Sequence, residues 1–192
     1  PHITAIVQRW QEETDDQLDV SIAYLEKGIP RRSPLMGDLI TYSWLHAYPQ
    51  ADAALTNPGG VRDSLPQGEI TLAHIVDLLP FDNTLVAVKL DGEQLLKVVR
   101  HGNDPLIGGI SRDGARWVLD KTGEPLQGDH TYTVLVNDFM YAGGDSYHML
   151  AEFDPNAYDT NIDWRDPLID WIKDQRSSHQ NPLDEKVASI RK

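Results

Sequence analysis

Two short apolar runs, Ala53 to Thr56 and Thr131 to Val136, are each followed by a loop carrying paired glycines: Asn57-Pro58-Gly59-Gly60 and Gly143-Gly144-Asp145. The β-branched alternation of the second run predicts a strand, and the first reads as a shorter one. Paired glycines permit backbone angles, or close approaches, that a side chain would forbid. A fold built on this chain therefore has strands that end in loops shaped for something, and a ligand is one such thing.

Helical patterns lie between the strands. Ser33 with Pro34 reads as N-cap and first helical residue, and Leu35, Met36, Leu39, Ile40, Trp44 and Leu45 form the apolar stripe of a helix over 34–47. Thr71 caps a helix with Leu72, Ile75, Val76, Leu78 and Leu79 that Pro80 terminates. A strand over Thr84 to Leu90 and a helix over 92–101 follow. Ile3, Ile6, Val7 and Trp10 predict an opening helix, with a strand-like stretch from Leu18 to Leu25 after it. Trp117 to Leu119 reads as a strand leading to a turn at Lys121-Thr122-Gly123, and a last helix spans about 165–176.

Helices and strands interleave, but the second half is strand-rich with short connections. That favours an α+β fold of mixed β-sheets packed with helices over a doubly wound parallel sheet. With 192 residues, 40% of them apolar, there is room for a real core. One domain is expected over 1–176, followed by a polar, loosely held tail over 177–192 with room to dock in part.

Charge and composition exclude several classes. Seventeen basic against thirty acidic residues give a net −13, which repels phosphate backbones and argues against nucleic-acid partners, while leaving room for a small anion at a local basic site. No apolar run approaches the roughly 20 residues of a membrane span. The absence of cysteine excludes disulfides, thiolate metal sites and cysteine nucleophiles.

Catalytic and metal signatures are missing as well. The seven histidines, at 2, 46, 74, 101, 130, 148 and 179, contain no metal-binding spacing. Asp154, Asn156, Asp159 and Asp163 lack the glycine and glutamate of a calcium loop and read as a solvated turn. Around Ser146, His148 stands where a nucleophile elbow needs its second glycine. Phosphate-cradling and dinucleotide-binding glycine motifs do not occur, so no catalytic or metal-ligating residue is expected in this chain.

What remains is a candidate binding site drawn from four element ends: Arg31-Arg32, Asn57 to Arg62, Leu79 to Asn83, and Asn137 to Asp145. Phe81 and Phe139 are two of only three phenylalanines, and each follows the end of a predicted element. Such a ring can cap the core, or the pair can sandwich a planar base. Arginine suits phosphate oxygens, a carboxylate such as Asp145 accepts from the vicinal hydroxyls of a ribose, and the Asn57 amide both donates and accepts.

Three ordered motifs, Asn57-x-Gly-Gly-x-Arg62, Pro80-Phe81-x-Asn83 and Asn137-x-Phe139-x-x-x-Gly143-Gly144-Asp145-x-Tyr147, resemble the C-terminal domain of the 5′-nucleotidase / UDP-sugar hydrolase family over about residues 1–175. The resemblance implies a two-domain hydrolase whose N-terminal metallophosphatase domain, in the same polypeptide, carries two divalent metal ions. The C-terminal domain would clamp a nucleotide or nucleoside. By motif, Phe81 and Phe139 match the stacking pair, and Asn57 a base-side amide. Arg62 and Arg32 match phosphate-binding arginines, and Asp145 the ribose-binding carboxylate. Arg31 is a substitute for Arg32, because the residues around Gly37 depart from the family pattern. Ser146 replaces the usual glycine after Gly-Gly-Asp, which bears on the loop's reach toward the sugar.

Nothing here matches the family's metal-binding segments, so this chain alone is expected to be inactive and to need no cofactor of its own. The family implies a periplasmic, secreted or cell-surface setting. Two alternatives stay open: a free-standing nucleoside- or sugar-binding module without catalysis, and the same domain serving a UDP-sugar, NAD or cyclic-nucleotide hydrolase.

Overall fold

The computed structural model describes residues 18–102 and 104–190; the predicted opening helix lies outside them. In chain order the elements are β1 (Ser21–Leu25), α1 (Pro34–Ala47), β2 (Ala53–Thr56), β3 (Gly68–Thr71), α2 (Leu72–Leu78), β4 (Thr84–Asp91), α3 (Gly92–Val99) and β5 (Leu106–Gly108). Then come β6 (Ile110–Asp113), β7 (Arg116–Leu119), β8 (Thr131–Asn137), α4 (Asp138–Tyr141), α5 (Met149–Phe153), β9 (Tyr158–Asp163), α6 (Asp166–Asp174) and α7 (Asp184–Ser189).

The helix starts are capped, with Ser33 and Thr71 at the places expected from the sequence. The Ser33 hydroxyl accepts from the Met36 N–H at 3.3 Å, with Pro34 in the first turn. At α2 the Thr71 N–H donates to His74 Nδ1 at 3.0 Å. At α3 the Asp91 carboxylate accepts from the Gln94 N–H at 2.8 Å, while the Gln94 side chain accepts from the Asp91 N–H at 2.9 Å. These reciprocal bonds satisfy donors that a helix start otherwise leaves open.

A five-stranded sheet in the order β5-β2-β8-β4-β9 organises the molecule. Its faces are read from the pleat. Ala54, Leu85, Ala87 and Leu135 face α1, α2 and α6, whereas Ala53, Leu55, Val86, Val88, Val134 and Val136 face α3, α4 and α5. Both faces are covered, which is why β2 is buried at all four positions and reads as an unbroken apolar run rather than an alternation. The fold is the expected α+β one, with mixed sheets and helices.

Strand direction then decides where the loops go. β2 and β8 are parallel, with Ala53 opposite Val134 and Ala54 opposite Leu135. Both glycine loops therefore leave the same end of the sheet. β4 runs antiparallel to β8, pairing Leu85 with Asn137, so the segment before it enters at that end too. β9 is antiparallel to β4 and pairs Asp163 with Thr84, which brings a fourth segment there.

Several expectations need correction. The acidic stretch around Asp159 and Asp163 is no solvated turn: β9 is an edge strand with a single neighbour, and the exposure of its residues leaves no apolar alternation to read. Part of the segment after Ser177 docks on the rest of the fold. Leu183 and Val187 are fully buried, the Leu183 N–H donates to the Tyr24 carbonyl at 2.9 Å, and the Asp184 carboxylate accepts from the Glu26 and Lys27 N–H groups at 2.7 and 2.8 Å. Two apolar residues among polar ones were too sparse a pattern to show that docking. β1 starts only at Ser21, α3 ends at Val99, and α6 runs 166–174. The short elements β3, β5, β6, α4, α5 and α7 carry too few residues for a period to appear in sequence.

Candidate functional site

At the shared sheet end a line of buried amides joins the two glycine loops. The Asn137 side chain, fully buried, donates through Nδ2 to Thr56 Oγ1 at 3.0 Å and to Asn57 Oδ1 at 2.9 Å. Its Oδ1 accepts from the Met140 N–H at 2.8 Å, capping α4. Asn57 Nδ2 in turn donates to Asp145 Oδ2 at 2.7 Å. Each amide is thus used as both donor and acceptor, as burial demands, and the line ends on an exposed carboxylate.

The loop that carries Asp145 is bent out of ordinary backbone space. Gly143, Asp145 and Ser146 have φ of 95°, 50° and 67°. Consecutive non-glycine residues in the left-handed region each cost on the order of 1–3 kcal/mol and persist where surroundings impose them. Ser146 stands at a φ that glycine adopts without strain, which gives a physical reason for the family's glycine at that place.

Phe139 is 45% exposed and its ring lies across Gly144, where a Cβ would come within 2.4 Å of the ring. Gly59 lies beside the Asn57 and Asp145 side chains. Arg62, exposed, donates from its guanidinium to the Gly59 carbonyl at 3.4 Å.

Phe81, also 45% exposed, reaches this group through Trp164. The Trp164 indole N–H donates to the Phe81 carbonyl at 2.9 Å, and the same ring presses on Gly60, where a Cβ would be 3.0 Å away. Asn57, Arg62, Phe81, Phe139 and Asp145 are thereby linked in one contiguous cluster. Arg32 is exposed, just before the cap Ser33. Its neighbour Arg31 donates from its backbone N–H to Ser64 Oγ, two residues beyond Arg62, at 2.9 Å.

Asn137 and Trp164 were not among the expected binding residues. Asn137 was visible as the first residue of a motif, whereas Trp164 carried no signal beyond being a lone tryptophan after acidic residues. Both are fully buried.

Behind the loop, Tyr147 is fully buried with its hydroxyl unpartnered, its ring 4.9 Å from that of His101. Burial, helped by the Asp145 and Asp104 carboxylates, pushes the phenol up to about 12. Stability from this group is complete below the unfolded value of about 10 and is lost as pH rises through the folded one. Tyr147→Phe is therefore expected to match the parent or gain up to about 1 kcal/mol at neutral pH, since it removes an unpaired hydroxyl. Its advantage should grow between pH about 10 and about 12, measured by urea unfolding across that range. An advantage that stays constant with pH would contradict this.

A family model described as 5′-nucleotidase, C-terminal domain matches residues 21–152. The 5′-nucleotidase of Vibrio vulnificus (strain CMCP6) is 31% identical over 160 residues, which are 74% of this chain and 29% of that protein. The trifunctional nucleotide phosphoesterase protein YfkN of Bacillus subtilis is 32% identical over 124 residues, 53% of this chain and 8% of that protein. The solved 5′-nucleotidase precursor from Thermus thermophilus shares the fold with a TM-score of 0.76 and 25% identity, over 92% of this chain and 41% of that one. This chain thus spans less than half the length of each.

Proposed function

The chain belongs to the 5′-nucleotidase C-terminal domain family, and from that premise we propose that it is the nucleotide-recognition domain of a two-metal 5′-nucleotidase-type phosphohydrolase. Phe81 and Phe139 take the two faces of the base, and Asp145 accepts from the ribose hydroxyls. The Asn57 amide serves the base side, and Arg62, with Arg32 or Arg31, serves the phosphate. Positioning is this domain's share of the reaction: a base and sugar held at fixed points present the phosphate to the reacting groups at high effective concentration.

Among the described residues no group of three or more His, Asp or Glu is arranged to hold a metal ion. The residues present do not fit the metal centre, and the two divalent ions belong in this reading to a separate N-terminal metallophosphatase domain of the same polypeptide. No described helix is long and apolar enough to cross a membrane. By the same reading the whole protein works in the periplasm, outside the cell or at its surface.

The observation that carries the proposal is the hydrogen-bonded line Asn137–Asn57–Asp145, which ties the loop of Asp145, beside the half-exposed Phe139, to the loop whose Gly60 meets Trp164, the partner of Phe81. Calorimetric titration of the chain with adenosine and AMP tests it. Binding is expected with both, without phosphate release from AMP. Alanine at Phe81 or Phe139 should each remove about 1–3 kcal/mol of adenosine binding. Unchanged affinity in both variants would overturn the base clamp. Tighter binding of a UDP-sugar, NAD or a cyclic nucleotide would move the substrate within the same clamp.

A further inference from the structure

Phe81, Asp82 and Asn83 belong to no helix or strand, yet each is tied to Trp164 or Arg165. The Trp164 indole N–H donates to the Phe81 carbonyl at 2.9 Å, and the Trp164 backbone N–H donates to the Asn83 carbonyl at 3.1 Å. Between them, Arg165 donates from its guanidinium to the Asp82 carboxylate at 2.9 Å. Three consecutive residues of an irregular connection are thus held by the two residues that follow β9.

That end is itself fixed from behind. Trp164 is fully buried, and its carbonyl accepts from the Trp44 indole N–H of α1 at 3.0 Å. Arg165 is oriented by Asp163, donating from Nε to one carboxylate oxygen at 3.0 Å and from the guanidinium to the other at 2.8 Å. A two-pronged arginine–carboxylate pair of this kind sets direction as well as attraction. Burial would raise the Asp163 carboxyl, but the bonds and charge of Arg165 outweigh it and hold the group below its usual value. The outer edge of the Trp164 six-membered ring, Cη2 and Cζ3, lies against Gly60 of the first glycine loop.

One side chain therefore touches both halves of the site: the carbonyl of the residue that bears Phe81, and the glycine loop whose Asn57 holds Asp145. We propose that Asp163, Trp164 and Arg165 form a positioning strap that sets the Phe81 ring at a fixed spacing from the Asn57–Asp145 pair, and so selects ligands that carry a planar base at that distance from a ribose. This rests on the base-clamp reading above. All three residues lie beyond the 21–152 matched by the family model.

The strap acts through Phe81, which makes it separable from a general structural role. Trp164→Phe keeps an aromatic body and removes the N–H donor, and Arg165→Met keeps much of the side-chain volume while releasing Asp82. Each is expected to weaken adenosine binding by calorimetry about fivefold, the worth of one net hydrogen bond, while ribose 5-phosphate, which lacks a base, binds within about twofold of the parent. In a Phe81→Ala background neither should weaken adenosine further, because the ring they place is gone.

Equal losses for adenosine and ribose 5-phosphate, or a full loss in the Phe81→Ala background, would overturn the strap. A ligand-free measurement separates this from the clamp itself. With 4-fluorophenylalanine at position 81, the parent should give one sharp fluorine resonance displaced from that of the free amino acid, and both variants a resonance moved toward it. An unmoved resonance overturns the strap whether or not adenosine binds, whereas a parent that binds no adenosine but shows the shift loses the clamp and keeps the strap.

Discussion

Replacing Asn137 by alanine is expected to destabilise the fold by on the order of 3–4 kcal/mol, as a sum of one lost helix cap and buried polar groups left without partners. The side chain is fully buried and makes three hydrogen bonds, to Thr56 Oγ1, Asn57 Oδ1 and the Met140 N–H. Thr56 is fully buried and Asn57 4% exposed, so the groups left behind are not open to bulk water. The terms are not strictly additive because the three bonds share one amide. Urea unfolding should show a lower midpoint with an unchanged slope, since the surface exposed on unfolding stays the same. A loss below about 1 kcal/mol would mean that the amide line is dispensable. The substitution should also weaken ligand binding, because Asn57 then loses the partner that aims it at Asp145.

Gly144→Ala should separate binding from stability. A methyl group there would stand 2.4 Å from the end of the Phe139 ring, closer than any real contact, so the ring must move. The ring is 45% exposed, and it can swing outward without leaving a cavity in the core. Stability is therefore expected to change by less than about 1 kcal/mol, helped by the reduced freedom of the unfolded chain. Adenosine binding should fall about as far as in Phe139→Ala, by roughly 1–3 kcal/mol, through loss of one stacking face. In the double variant the two losses should not add. Full adenosine affinity in Gly144→Ala, measured by calorimetry, would show that the Phe139 ring is not a stacking face.

Much of this arrangement was legible in the residue order. Ser33-Pro34 and Thr71 marked helix starts because caps are local chemistry, acting within one turn. The runs at Ala53 and Thr131 marked strands, and the glycines after them marked the loops, because forbidden backbone angles leave a trace in residue type. Asn57, Arg62, Phe81, Phe139 and Asp145 were named as one group from three motifs, and the structure links them. Arg32 was named with them, and it is exposed just before Ser33.

Other features left no such trace. β9 is acidic and exposed because an edge strand needs only one neighbour, so its pattern resembles a loop. The docking of Leu183 and Val187 depends on a groove beside β1 that no local pattern describes.

Residue types and spacings established the caps, the strand runs and the loops that needed glycine, since each of these is a local steric or chemical demand. That both glycine loops and the Phe81 segment meet at one place follows instead from the parallel pairing of β2 with β8 and the antiparallel pairing of β4 and β9 around them. Strand direction is a property of partners distant in the chain, chosen by packing on two faces of a sheet. The same holds for Trp164, whose bonds to Phe81 and Trp44 span 83 and 120 positions of sequence and exist only once the sheet has brought those positions together.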